Sequence, residues 1–229
     1  MKMIYVGKES SGKSLQLAKK AKELVERNSR WYSTTRVMRP IVTNSPFSDD
    51  FVAYAKSRNV PIENWQNLED IIYRGECDVI IDEIIKYFDA RNWSDLSIDS
   101  KHWLTQGAKS GVHVYGACQD FSQVEKQFRL LCTDVFHVIK VMGSPRPMKT
   151  RPPVKTIWGL CMLRNVDPAS FKTDTPSMVN KSWPSFFFIK KEDTDIFDTS
   201  LKIKQGVYPP LQHVERWCET CGKHHITHK

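Results

Sequence analysis

The strongest constraint on this chain lies at its amino end. Met3-Ile4-Tyr5-Val6-Gly7-Lys8-Glu9-Ser10-Ser11-Gly12-Lys13-Ser14 reads as an apolar strand followed by G-x-x-x-x-G-K-S, and Leu15-Gln16-Leu17-Ala18 then opens a helix. This is a phosphate-binding loop in the strand–turn–helix setting it requires. Closely spaced anionic oxygens are held by backbone N–H groups that point inward with no side chain in the way. Gly7 and Gly12 let the chain turn tightly and approach such oxygens. The following helix adds unpaired N–H groups and the positive end of its dipole. The expected nucleotide-binding stretch is therefore Gly7, Lys8, Glu9, Ser10, Ser11, Gly12, Lys13, Ser14 and Leu15. Lys13 is expected at the β/γ-phosphates and Ser14 at Mg²⁺, which makes ATP and Mg²⁺ the expected cofactors. A turn that merely contained two glycines would have no need of Lys-Ser after the second.

The other classes open to a chain of this size are narrowed by composition. Apolar residues make up 40% of 229, which suits a folded domain rather than a disordered one. No stretch approaches the roughly 18–20 apolar residues of a membrane span, and no secretory leader precedes the first strand, so a cytoplasmic protein is expected. Cys77, Cys118, Cys132 and Cys161 sit in apolar segments as packing thiols, not as a disulfide framework. The net charge of +8 favours an anionic partner, and nucleic acid is the natural one for a nucleotide-driven protein.

Along the chain, apolar periodicity predicts a helix over 13–27. The segment Arg30-Trp31-Tyr32-Ser33-Thr34-Thr35-Arg36 then reads as a basic connector, open to a nucleic-acid contact or to plain solvation. Pro40-Ile41-Val42-Thr43-Asn44 reads as a short strand, 50–58 and 67–73 as short helices, and Cys77-Asp78-Val79-Ile80-Ile81-Asp82-Glu83 as a strand buried on both faces. Beyond it the pattern predicts a helix over 84–88, a loop over 90–99, a helix over 100–109 and a core strand over 111–118 that ends at Gln119. A helix over 121–131, a strand over 134–141, an antiparallel edge strand over 154–163 and a strand over 184–189 follow. Strand–helix alternation argues for an α/β sandwich with a mostly parallel sheet. The expected ATPase domain covers 1–205, with a tail over 206–229.

In such a sheet ligands sit at the carboxyl ends of the strands. The loop after the first strand, Asp82-Glu83 and Gln119 each follow a strand directly, so all three converge. Asp82 is the expected Mg²⁺ partner of Ser14, Glu83 the residue that orients the attacking water, and Gln119 a bridge between water and γ-phosphate. The competing roles are a helix start capped by acids for Asp82-Glu83 and an ordinary strand end for Gln119. An arginine is also expected for transition-state charge, with Arg129 the first candidate and Arg91 the second.

These motifs stand in an order that resembles the zonular occludens toxin-like ATPases. That family includes the filamentous-phage assembly ATPase and lies within the FtsK–HerA superfamily of DNA-pumping motors. The residues that carry the resemblance are the amino-terminal loop, Val42-Thr43-Asn44, Val79-Ile80-Ile81-Asp82-Glu83, the strand ending at Gln119 with Val124 to Arg129 after it, and Ile196-Phe197-Asp198-Thr199-Ser200. The resemblance implies a RecA-like (ASCE) P-loop core in three layers, with an added glutamine-tipped strand and antiparallel additions. It also implies a homo-oligomeric ring such as a hexamer. Two departures stand out. Ala108-Lys109-Ser110 occupies the place of the family's Arg-His pair, and the membrane span of filamentous-phage members is missing. The second points to soluble genome packaging rather than membrane extrusion.

The tail carries Cys218-Glu219-Thr220-Cys221-Gly222 and then His224, His225 and His228. C-x-x-C is a zinc half-site, and Cys218, Cys221, His225 and His228 form the expected Zn²⁺ set, against a terminus with chance Cys and His. Three functions fit the whole. The first is an ATPase that powers DNA translocation in genome packaging or virion assembly. The second is a nucleotide-switched scaffold that binds capsid or virion proteins without pumping DNA. The third is a small-molecule kinase, which the proline-rich setting of Arg146 and Arg151 suits poorly as a lid.

Overall fold

The computed structural model describes residues 1–65, 67–72, 74–106, 109–143, 159–168, 182–189, 191–197, 213–218 and 223–228. The expected α/β sandwich is present. Its strands are β1 (Lys2–Val6), β2 (Ile41–Thr43), β3 (Ile62–Asn64), β4 (Asp78–Ile81), β5 (His113–Cys118), β6 (Asp134–Gly143), β7 (Gly159–Val166) and β8 (Ser185–Ile189). They form one eight-stranded sheet in the order β3-β2-β4-β5-β1-β6-β7-β8. Pairing is parallel from β3 through β6, and antiparallel where β7 joins β6 and β8 joins β7.

Strand alternation builds the two outer layers. In β1, Ile4 and Val6 face one core while Tyr5 faces the other, and in β4 Val79 and Ile81 oppose Ile80 in the same way. The helices α3 (Glu69–Ile72), α4 (Ile85–Phe88), α5 (Ile98–Gln106) and α6 (Lys126–Leu130) bury Ile71, Phe88, Trp103 and Phe128 on the first side. On the second side α1 (Lys13–Thr35) and α2 (Asp49–Ser57) bury Leu17, Ala21, Leu24, Phe51 and Ala55. A seventh helix, α7 (Lys191–Thr194), packs on α1 through Lys19 and Asp193, whose charged atoms are 3.3 Å apart. Among the described residues no helix is long and apolar enough to cross a membrane.

Several expectations are corrected. The basic segment after Arg27 is not a connector: α1 runs on to Thr35, and Arg36, at φ 61°, closes it through its N–H to the Tyr32 carbonyl. The apolar stripe of α1 ends where the helix leaves the sheet, so its last turns carry no burial signal although nothing before Pro40 breaks a helix. The β7 strand is antiparallel as expected, but it is interior, because β8 pairs along its outer side. The expected helix over 121–131 is divided into a short 3₁₀ turn, Phe121–Gln123, and α6. The polar stretch Ala90–Asp95 is itself a 3₁₀ turn. Ile62–Asn64 was expected as no element and forms the edge strand β3.

At the amino ends of the parallel strands, Asp78 is fully buried and heavily bonded. Arg27 donates to its carboxylate at 2.5 Å, Arg39 at 3.0 Å and Asn28 at 2.8 Å, and His113 lies 3.3 Å away. Burial opposes its ionisation, but the bonds from His113, Arg39 and Arg27 outweigh burial and hold the carboxyl well below the usual carboxylate range. This cluster pins α1 to the start of β4.

Two further strands, β9 (His213–Cys218) and β10 (Lys223–His228), form an antiparallel hairpin separate from the main sheet. Its register sets Cys218 opposite Lys223 beside the turn and His228 opposite His213 at the open end. At about 3.3 Å per strand residue, five positions separate His228 from the turn-side pair. Cys218 and His228 of the expected zinc set thus stand at opposite ends of this hairpin. Cys221 lies outside the described residues.

Candidate nucleotide site

The strand order explains why distant motifs meet. β2, β4, β5 and β1 are consecutive neighbours, and all four run in one direction. Their carboxyl ends deliver Asn44, Asp82-Glu83, Gln119 and Gly7 to one edge of the sheet.

The loop after β1 is shaped by backbone constraints. Ser10 adopts φ 58° and Gly12 φ 103°, both in the left-handed region. A Cβ at Gly7 would lie 2.5 Å from the Val138 carbonyl oxygen and 2.7 Å from Ser11 Oγ, so only glycine fits that turn. The antiparallel addition supports the loop from outside, since the Cys161 thiol of β7 lies 3.4 Å from the Ser11 carbonyl oxygen. The first turn of α1 carries no acidic residue and no side-chain cap at Gly12. Its N–H groups and dipole therefore face the loop as an anion-binding end.

Lys13 Nζ donates to the carbonyl oxygens of Gly7 at 2.7 Å and Lys8 at 2.8 Å, folding back over the loop. Burial lowers its affinity for a proton, while Glu83 and Asp82 nearby pull the other way. Ser14 Oγ lies 3.5 and 3.4 Å from the two Asp82 carboxylate oxygens. Burial raises the proton affinity of Asp82 above the usual carboxylate range despite the Ser14 hydroxyl, the Glu83 N–H and the Lys13 charge. For Glu83, burial acts first and the Asp82 charge second, and together they overcome the opposing effects of Lys13 and the nearby Gln119 side chain. Two raised carboxylates beside a hydroxyl form a hard oxygen donor set short of positive charge, and a divalent cation fits it.

Glu83 occupies the left-handed region at φ 57°. A residue other than glycine held there signals strain that the surroundings over-determine. The restraints are visible on both sides. The Asp82 N–H donates to Asn44 Oδ1 at 2.8 Å, and Asn44 Nδ2 donates to the Asp82 carbonyl oxygen at 2.9 Å. The Ile84 N–H donates to the Ala117 carbonyl oxygen at 2.8 Å. A Cβ at Gly116 would collide with Ile84 Cδ1, so this glycine lets the turn after β4 close onto β5. That closure leaves Glu83 and Gln119 on the wall of one cleft. Lys8, Glu9, Glu83, Gln119 and Asp120 line an open cleft of about 490 Å³.

Lys13, Ser14, Asp82, Glu83 and Gln119 are thus brought together as the sequence predicts. The arginines are not part of this group. Arg129 lies on α6 and does not line the cleft. Arg91 is on the surface, bonded to Asp89 at 2.6 Å. Asn44, expected only as part of the Val42-Thr43-Asn44 motif, positions Asp82 through its backbone. Its place after a short strand in the same sheet was the available signal. Of the late Ile196-to-Ser200 segment, Ile196 and Phe197 are described: Phe197 stacks on Phe47 with centroids 4.7 Å apart, and Asp198 to Ser200 lie outside the described residues.

No protein-family model matches the chain, and no curated protein sequence matches it. Solved structures do. The genome packaging NTPase B204 from Sulfolobus turreted icosahedral virus 2, in complex with ATP-gammaS, is 14% identical, with 64% of this chain and 75% of that chain covered at a TM-score of 0.43. The flagellar accessory protein FlaH from Methanocaldococcus jannaschii is 11% identical, with 72% and 76% covered at 0.44. The N-terminal domain of zonular occludens toxin from Neisseria meningitidis is 13% identical, with 86% of this chain and 98% of that domain covered at a TM-score of 0.50. The resemblance read from the motifs therefore holds in three dimensions as a shared fold: an α/β, RecA-like sheet like that of the zonular occludens toxin N-terminal domain.

Proposed function

We propose that this chain is a Mg²⁺-dependent ATPase that drives DNA translocation in genome packaging or virion assembly. The observation that carries the reading is that Lys13, the Ser14–Asp82 pair, and the cleft shared by Glu83 and Gln119 lie at one sheet edge. Lys13 would exchange its carbonyl acceptors for phosphate oxygens. Ser14 and Asp82 would hold Mg²⁺, which when bound neutralises charge on the β- and γ-phosphates. Glu83 would orient the attacking water and accept its proton, with Gln119 fixing the line of attack. Arg129, away from its own cleft, would reach a phosphate only across a subunit boundary, which suits a homo-oligomeric ring acting in the host cytoplasm.

A nucleotide-switched scaffold is the second reading. The observation favouring it is the exposed aromatic rim formed by Trp183 at 93% exposure with Phe186 at 59% and Phe188 at 66%, a surface suited to capsid or other virion proteins. One assay separates the two. Phosphate release from ATP is measured with Mg²⁺, alone and with single- and double-stranded DNA. The motor reading expects turnover that rises several-fold with DNA. Turnover indifferent to both DNA forms would favour the scaffold.

A further inference from the structure

A second cleft opens at the other pole of the sheet. The last turns of α1 extend beyond the sheet, and Arg27, Arg30, Trp31, Thr34 and Thr35 fall on one stripe of that helix at three- and four-residue spacing. Facing them are Arg39 and His113, and together these residues line a cleft of about 560 Å³ with no acidic residue in its wall. Among the described residues the carboxylate paired with these guanidinium groups is Asp78, buried beneath and shared by Arg27 and Arg39. Two guanidinium groups over one carboxylate leave positive charge in excess, and Arg30 adds to it. Among the described residues the Arg30 side chain makes no ion pair. Trp31 is 49% exposed and makes no ring contact among the described residues, although a tryptophan normally buries its large surface. A half-exposed indole beside the unpaired Arg30 guanidinium has no structural duty visible among the described residues.

We propose that this cleft binds single-stranded nucleic acid, with a base stacked on Trp31 and the phosphate chain on Arg30 and the guanidinium pair. The cleft holds a nucleotide or two, not a duplex, and only an unpaired base offers its face to an indole. The proposal names a surface for the polymer of the function proposed above and rests on that reading. It also places the polymer far from the phosphate loop. At 1.5 Å per residue the single helix α1 spans about 30 Å between Lys13 and Thr34, and joins the two sites.

The test is fluorescence anisotropy of a labelled 20-nucleotide oligo-dT, with Mg²⁺ and a non-hydrolysable ATP analogue, on the full chain. Trp31→Ala weakens binding about tenfold, and Trp31→Phe recovers most of it. Arg30→Glu weakens binding and lowers the slope of log affinity against log salt by about one or more. Both side chains are exposed, and circular dichroism confirms that the variants fold. If the parent chain binds the oligonucleotide and both variants bind it equally well, this surface is wrong while the nucleic-acid reading stands. Equal loss of poly-glutamate binding in Trp31→Ala would mean a general anion patch and would overturn the stacking role. A parent chain that binds neither single strand nor duplex overturns the surface and the translocation reading together.

Discussion

Replacing Glu83 with glutamine is expected to lower ATP turnover at least a hundredfold and to leave nucleotide affinity unchanged or tighter. The substitution keeps the size of the side chain and a partner for Gln119. It removes the carboxylate that lines the cleft with Gln119, and a placed general base contributes about 10²–10⁴-fold. Affinity survives because Lys13, the loop and the Ser14–Asp82 pair are untouched. Repulsion between carboxylate and γ-phosphate disappears as well. Phosphate release and binding of a fluorescent nucleotide measure the two effects separately. A variant that hydrolyses ATP at the parent rate removes Glu83 from the chemistry and leaves only a nucleotide pocket.

The second large effect is on stability and lies at the opposite pole. Asp78→Asn is expected to destabilise the fold by about 3 kcal/mol at neutral pH, the low end for breaking a buried charge pair because Arg27 keeps some solvent contact. For a chain of this length that lowers the thermal midpoint by about 6–12 °C. The sign with pH follows from the depressed carboxyl of Asp78. Its contribution is complete above the ordinary aspartate value, near 3.9, and is lost as pH falls through and below that range toward the native value. Urea unfolding of parent and variant should therefore differ most at pH 7 and converge in strong acid. A gap that widens with acid would contradict the assignment of Asp78 as the ionised centre of the cluster.

The two poles differ in how far the sequence revealed them. The phosphate loop, the acid pair and Gln119 each follow an apolar strand directly, so one rule about parallel sheets was enough to bring them together. Asn44 is legible in the sequence only as part of a motif, because its role lies in the bonds between its side-chain amide and the Asp82 backbone. The left-handed turn at Glu83 escaped for a similar reason: it depends on Gly116, on a neighbouring strand, making room for Ile84. The far end of α1 was misread because helix length was inferred from an apolar stripe, and the stripe stops where the sheet stops. The distance between Cys218 and His228 of the expected zinc set depends on register, a property of pairing between strands rather than of spacing along one.

In the function proposed above, one triphosphate is gripped by the loop and read by the acid pair together. The most direct measurement is a crystal structure with Mg²⁺ and a non-hydrolysable ATP analogue. Lys13 Nζ is expected to leave the Gly7 and Lys8 carbonyl oxygens for phosphate, and Glu83 and Gln119 to share a water in line with the γ-phosphorus. A nucleotide bound elsewhere, or a γ-phosphate that neither Glu83 nor Gln119 approaches, would contradict it.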